Sequence, residues 1–245
     1  MPPFAPQLLP NRIESVHSLT VSGPVPVENA TGAEYTVDEQ GRRWVSKVPH
    51  ERRELLAEAL GWLLSGALEV PTPNSAIYVK DGTTSWLSEV IEPVVHWTPA
   101  RAQYLVNPDD LGKIVAIDAI IGNFDRHDAN LLLKPEDGPD RLSIFSIDLS
   151  WSWIGEPAIL KRGIEPPPIR SLVEGIPVDM IRDAAMACSS EALRVNKRAL
   201  AEYAQEACRI ANQPDVQSIT NGLMFRCMNA PSIVKDYINL IERRP

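Results

Sequence analysis

The residues best suited to chemistry lie in one stretch, IIGNFDRHDANLLLKPEDGPDRLSIFSIDLSWSW, from Ile120 to Trp153. Asp125, Arg126, His127, Asp128 and Asn130 are crowded between two apolar runs, and Asp148 closes the second run. Asp125 and Asn130 stand in the spacing D-x-x-x-x-N. In phosphoryl transfer that spacing lets the Asp accept a proton from the acceptor hydroxyl while the Asn holds a magnesium ion. Such a reaction needs little covalent help from the protein. It needs the nucleophile aimed in line and charge placed beside the phosphate oxygens. A carboxylate and an amide at the two ends of a tight loop can do both. Mg2+ prefers hard oxygen ligands and usually takes only one or two from the protein. Asn130 and Asp148 are therefore the expected metal ligands, with ATP as the phosphoryl donor.

The elements that must hold these groups are legible in the periodicity. PDDLGKIVAIDAIIGN predicts a helix with Leu111, Ile114, Val115 and Ile121 on its apolar side. NLLL and LSIFSID predict two buried strands joined by the turn-rich KPEDGPD. The polar groups then cluster where buried strands emerge. Upstream, SVHSLTV, AEYTVDE and RRWVSKV predict strands, with turns at Gly23, Pro24, Gly32 and DEQG. Leu56, Leu60, Leu63 and Leu64 predict a helix that Pro71 and Pro73 stop. SAIYVKDGTTSWLSEVI predicts a hairpin turning at Asp81–Gly82. Downstream, a Pro-rich loop, EPAILKRGIEPPPIR, precedes helices expected at roughly 178–188, 190–212 and 231–243. The expected fold class is α+β in two lobes: a small β-rich lobe with one helix and a larger, mostly helical lobe. Residues 1–11 are expected as a flexible arm, 12–92 as the small lobe and 93–245 as the large one, with the seam in SEVIEPVV at 88–95.

The 245-residue chain is 44% hydrophobic and 23% charged, the composition of a globular protein. Its net charge of −8 weighs against broad nucleic-acid binding, because an acidic surface repels a phosphate backbone. No direct nucleic-acid partner is expected. Cys188, Cys208 and Cys227 form no C-x-x-C pair and no zinc pattern, which points to a reduced, cytoplasmic setting. MPPFAPQLLPNR lacks the pattern of a signal peptide. No run approaches the roughly 18 apolar residues of a membrane helix.

IIGNFDRHDANLLL followed by SIDLS resembles the HipA-like kinases, bacterial relatives of the phosphatidylinositol kinase superfamily. Their pattern is an apolar helix, then N-x-D-[RG]-H-x-x-N, then a D-x-x-S-like metal segment. The resemblance is specific over residues 114–150 and looser over 41–150. It implies a protein-kinase-like fold without the extra N-terminal subdomain of the full-length toxins. It also implies dependence on ATP and Mg2+ and phosphorylation of protein Ser or Thr; lipid and small-molecule hydroxyl acceptors share the same machinery.

The resemblance assigns further roles. Lys47, at the end of RRWVSKVP, would contact the α- and β-phosphates and pair with Glu58 or, one turn earlier, Glu54. LSEVI resembles the hinge, whose backbone would meet adenine at Glu89, Val90 and Ile91. The phosphate-covering loop would be VSGPVPVENATGAEY, which holds Gly23 and Gly32 but no G-x-G-x-x-G. That departure sustains a second reading, a nucleotide-binding module without transfer activity. His127 is expected to brace the catalytic loop, and Arg126 to order it or meet a phosphate. Asp118 is expected to make a structural hydrogen bond, Asp128 to face solvent, Trp151 and Trp153 to anchor the loop, and Ser150 to bond locally. KRGIEPPPIR is the candidate acceptor-binding loop.

Overall fold

The computed structural model describes residues 13–25, 32–156, 159–168 and 178–243. The expected arm lies outside the described residues, as do 26–31 of the expected phosphate-covering loop and the last two residues of KRGIEPPPIR.

Six strands build the first sheet: β1 (Glu14–Val16), β2 (Leu19–Pro24), β3 (Glu34–Asp38), β4 (Arg43–Lys47), β5 (Ser75–Lys80) and β6 (Thr83–Glu89). Their order is β1-β5-β6-β4-β3-β2. Only the β1–β5 pair is parallel. The stretch expected as one strand, SVHSLTV, is divided between β1 and β2. The amides of His17 and Ser18 leave the ladder and donate to the Glu39 carboxylate at 3.4 and 3.2 Å. The β5–β6 turn falls at Asp81–Gly82, with φ of 50° and 78°, the left-handed pair that a two-residue hairpin of type I′ requires.

Side chains alternate across the sheet. Val16, Trp44, Ala76 and Leu87 form a small core on one face. Ile77 and Trp86 belong instead to the main core, together with Leu55, Leu56, Leu60, Leu63 and Leu64 of the helix α1 (Arg52–Ala67).

The helix expected before the catalytic loop is α2 (Asp109–Ile121), buried along nearly its whole length. It ends on Gly122 at φ 72°, a left-handed cap that suits glycine. A Cβ there would also stand 2.7 Å from the Trp153 ring, so both backbone and space demand glycine. A second, antiparallel sheet has the order β7-β8-β9, formed by β7 (Val95–His96), β8 (Leu131–Pro135) and β9 (Leu142–Ser146).

The remaining helices are α3 (Val178–Arg194), α4 (Lys197–Ile210), α5 (Val216–Met228) and α6 (Ala230–Glu242). Two expectations are corrected here. The break expected near residue 189 falls at Val195–Asn196, where the Asn196 side chain accepts the Arg198 amide at 2.8 Å and caps α4. Helix α3 continues through Ser189 and Ser190, whose hydroxyls bond back to the Met186 carbonyl at 2.7 and 3.0 Å. The other correction is α5, which the periodicity did not suggest; Asp215 caps it by accepting the Ser218 amide at 3.1 Å. Among the described residues, no helix is long and apolar enough to cross a membrane.

Candidate active site

The segment expected as the catalytic loop leaves α2 at Gly122 and is fixed at once. Asn123, 1% exposed, donates to Asp118 at 2.8 Å and accepts the Asp125 amide at 3.1 Å. Arg126 is the brace of the whole loop. Its five N–H groups donate to both carboxylate oxygens of Asp118 (2.8 and 2.9 Å), to the carbonyls of Asn130 and Ile147 (2.8 Å each) and to Ser146 Oγ (2.7 Å). Every donor of a guanidinium is thereby engaged, and the side chain is buried. Of the two roles expected for Arg126, the hydrogen bonds show the ordering of the loop, with all five donors engaged within the protein. Asp118 makes the structural hydrogen bonds expected of it.

That brace joins the two halves of the site. The carbonyls of Asn130 and Ile147 share one Arg126 nitrogen, and the Ile147 amide donates to the Asn130 carbonyl at 3.1 Å. Asn130, 5% exposed, also donates to the Asp125 carbonyl at 3.3 Å. The Asn130 amide donates to the His127 carbonyl at 2.9 Å, so His127 helps to shape the loop through its backbone. Asp125 is half-buried and Asp128 exposed.

Asp148 follows Ile147 with φ 56°, in the left-handed region. A non-glycine residue there costs about 1–2 kcal/mol, and such strain gathers at functional positions. Three side chains hold it. The Lys47 ammonium, from the end of β4, stands 3.2 and 3.1 Å from the two Asp148 oxygens. Ser150 Oγ lies 2.6 Å from Asp148 Oδ1 and 3.3 Å from Lys47. From α1, the buried Glu58 accepts the Leu149 amide at 3.1 Å and so clamps the next peptide.

The hydrogen bonds of Lys47 thus run to Asp148 and Ser150. Glu58, expected as its partner, acts on it through charge and is bonded instead to the Leu149 amide. The rival Glu54 accepts the His50 amide at 3.0 Å, at the start of α1. Helix α1 comes this close because residue 61 is glycine; a Cβ there would lie 2.6 Å from Leu149 Cδ1.

The charges sort themselves by environment. Burial disfavours the Lys47 cation, but the Asp148 and Glu58 carboxyls outweigh it and raise its pKa. Burial likewise opposes the Asp148 anion, and Lys47 with the Ser150 hydroxyl more than offsets this, lowering its pKa. Glu58 has the opposite fate. Burial first, then the neighbouring Asp148 charge, pushes it up to about 8 against the pull of Lys47.

Among the described residues no group of three or more His, Cys, Asp or Glu is arranged to hold a metal. The donors expected from the sequence are the Asn130 amide oxygen and the Asp148 carboxylate. Two hard oxygens suit Mg2+, which keeps waters and phosphate oxygens for the rest of its shell, and not a structural zinc site. The ammonium seated on Asp148 marks a place that favours a cation. The hinge segment is more restricted. The Glu89 amide donates to the Asn74 carbonyl at 2.8 Å and the Val90 amide to the Arg43 carbonyl at 3.0 Å. This narrows an adenine contact to carbonyls of the segment and to amides from Ile91 onward.

The surroundings are aromatic. Phe124, next to Asp125, meets Trp151 edge-on at 5.9 Å. Trp153 is a buried anchor, as expected, while Trp151 keeps 41% of its surface exposed. Arg226 of α5 is the organiser that sequence reasoning missed. Fully buried, it donates to the carbonyls of Ala119 and Ile120 at the end of α2 (2.7 and 2.9 Å) and to those of Gly163 and Glu165 (3.0 and 2.9 Å). It pins the start of the expected acceptor loop to the helix that carries the catalytic loop. A cavity of about 430 Å³ lined by Trp62, Val70, Pro73 and Tyr203 touches none of Lys47, Asp125, Asn130 or Asp148.

No protein-family model matches the sequence. No curated protein matches it either. Solved structures do. The chain is similar to HipA in a Shewanella oneidensis MR-1 toxin–antitoxin complex of HipA, HipB and operator DNA, at 12% identity over 90% of this chain and 68% of that one, with a TM-score of 0.47. It is similar to the crystal structure of a Helicobacter pylori proinflammatory kinase, CtkA, at 11% identity over 96% of this chain and 100% of that one, with a TM-score of 0.62. With its β-sheet N-terminal region and helical C-terminal part, the chain has the kinase-like fold of that crystal structure.

Proposed function

We propose that this protein is an ATP- and Mg2+-dependent phosphotransferase of the HipA-like type that phosphorylates Ser or Thr of a protein acceptor in the cytoplasm. The observation that carries the reading is the meeting of Lys47, Asp148 and the Asp125–Asn130 loop, tied together by Arg126 and Ile147. ATP with Mg2+ supplies the transferable γ-phosphoryl group and offsets its charge. Lys47 exchanges Asp148 for phosphate oxygens and orients them. Asn130 and Asp148 would hold the metal. Asp125 aims the acceptor hydroxyl and takes its proton, the role of a general base within reach of the nucleophile. Glu58, Arg126 and Ser150 keep these groups in place.

A polypeptide acceptor is supported by the apolar side chains left at the surface after Asp148: Trp151, Leu160 and Ile164, each about two-fifths exposed. The reading as a nucleotide-binding module without transfer activity rests on the expected phosphate-covering segment, which has no G-x-G-x-x-G. Calorimetry with ATP·Mg2+ beside a phosphotransfer assay separates the two. Binding with transfer, lost in Asp125→Ala and Asp148→Ala, supports the enzyme. Binding without transfer supports the module, and equal turnover in both variants excludes this site.

A further inference from the structure

Ser150 has a role beyond local packing. Its hydroxyl is buried between an ammonium and a carboxylate: Lys47 Nζ at 3.3 Å and Asp148 Oδ1 at 2.6 Å. The ammonium can only donate and the ionised carboxylate can only accept. The direction of both bonds follows: Ser150 accepts from Lys47 and donates to Asp148. The short contact occupies one named oxygen, Oδ1. The backbone that carries this carboxylate is held in the left-handed region and by the Glu58 bond to the next amide. Asp148 therefore does not present a bare pair of oxygens.

We propose that Ser150 is the residue that sets metal specificity, by holding Asp148 Oδ1 so that the carboxylate offers a cation one oxygen and not two. The proposal rests on the phosphotransferase reading. Mg2+ demands a compact, near-octahedral shell of single oxygens, whereas Ca2+ takes six to eight ligands and accepts a carboxylate through both oxygens. A carboxylate with one oxygen engaged by a hydroxyl favours the smaller ion. When Lys47 turns to phosphate, the Ser150 bond to Oδ1 stays. Groups that orient a metal ligand from behind typically change metal affinity by about 10- to 100-fold when removed.

The test is calorimetric titration of MgCl2 and of CaCl2 into the full chain saturated with a non-hydrolysable ATP analogue, corrected by titrating the analogue alone. The wild-type protein prefers Mg2+. Ser150→Ala loses about tenfold in Mg2+ affinity and far less for Ca2+, so the preference narrows; Ser150→Thr, which keeps the hydroxyl, retains it. A Ser150→Ala protein with the wild-type Mg2+ to Ca2+ ratio, or a wild-type protein without preference, overturns the role of Ser150. A wild-type complex that takes up neither ion overturns the phosphotransferase reading itself.

Discussion

The Lys47 ammonium lies 3.1 Å from the nearer carboxylate oxygen of Asp148, although the two residues are 101 positions apart in the chain. This one contact bridges the end of β4 and the segment after β9. It also pairs two groups that, on the proposed function, a nucleotide and its metal would separate. Binding of ATP·Mg2+ is therefore expected to move Lys47. Lys47→Met removes the phosphate contact and leaves Asp148 without its ammonium. It is expected to weaken nucleotide binding by about tenfold or more, the equivalent of one charge-assisted hydrogen bond. Calorimetric ATP titration of the two proteins checks this.

Glu58 gives a prediction about pH. Its folded-state pKa is raised from 4.5 to about 8 by burial and by the Asp148 charge. The folded protein thus binds this proton more tightly than the unfolded chain. Its stabilising contribution is complete below the ordinary value, declines above it and is gone once the pH has passed about 8. Asp148 runs the other way: its lowered pKa contributes stability above the ordinary carboxylate range and loses it in acid. In Glu58→Gln, an amide oxygen still accepts the Leu149 amide and nothing titrates. Urea midpoints measured from pH 5 to 9 should fall in the wild type and stay flatter in that variant. Glu58→Ala leaves the buried Leu149 amide unpaired and is expected to cost about 1–3 kcal/mol.

Arg126 separates architecture from chemistry. Truncation to Ala strands the buried Asp118 carboxylate and frees the carbonyls of Asn130 and Ile147. Removing one partner of a buried ion pair costs about 3–5 kcal/mol. Arg126→Lys is not conservative, because an ammonium cannot reproduce the planar fork. Denaturant unfolding should show both variants destabilised, the Ala variant more, while Asp125→Asn unfolds like the wild type.

The three thiols are expected to be silent. Burial raises Cys227 to about 12 and Cys188 and Cys208 to about 11, and the thiolate is the reactive form. Iodoacetamide at pH 8 should leave the native protein unmodified by mass and label all three cysteines once it is unfolded in urea.

The polar loop between α2 and β8 was legible because its logic is local. Asp125, Arg126, His127 and Asn130 are fixed by spacing within six residues, and the apolar runs around them announce buried strands. The β5–β6 turn was legible for the same reason, since Asp81–Gly82 encodes its own backbone. What escaped depends on partners far along the chain. Arg226 looks like a surface charge in sequence, yet it bonds carbonyls 61 to 107 positions away. Its helix, α5, escaped because it buries Thr220, Gly222 and Arg226 beside Ile219 and Leu223, so no apolar stripe stands out. Lys47 was found from its strand and Glu58 from its helix, but only the fold shows that a Glu58 oxygen also accepts the Leu149 amide and that the hydrogen bonds of Lys47 run to Asp148 and Ser150.

Transfer of the γ-phosphate decides whether this site works as an enzyme. The wild-type chain, incubated with γ-labelled ATP and Mg2+ and a protein acceptor mixture, is expected to label Ser or Thr. Asp125→Asn, still folded and still binding ATP, is expected to be slower by about 10²- to 10⁴-fold, the range for loss of a general base. Asp125→Asn labelling the acceptor at the wild-type rate, or a wild-type protein that binds ATP·Mg2+ and labels nothing, would contradict it.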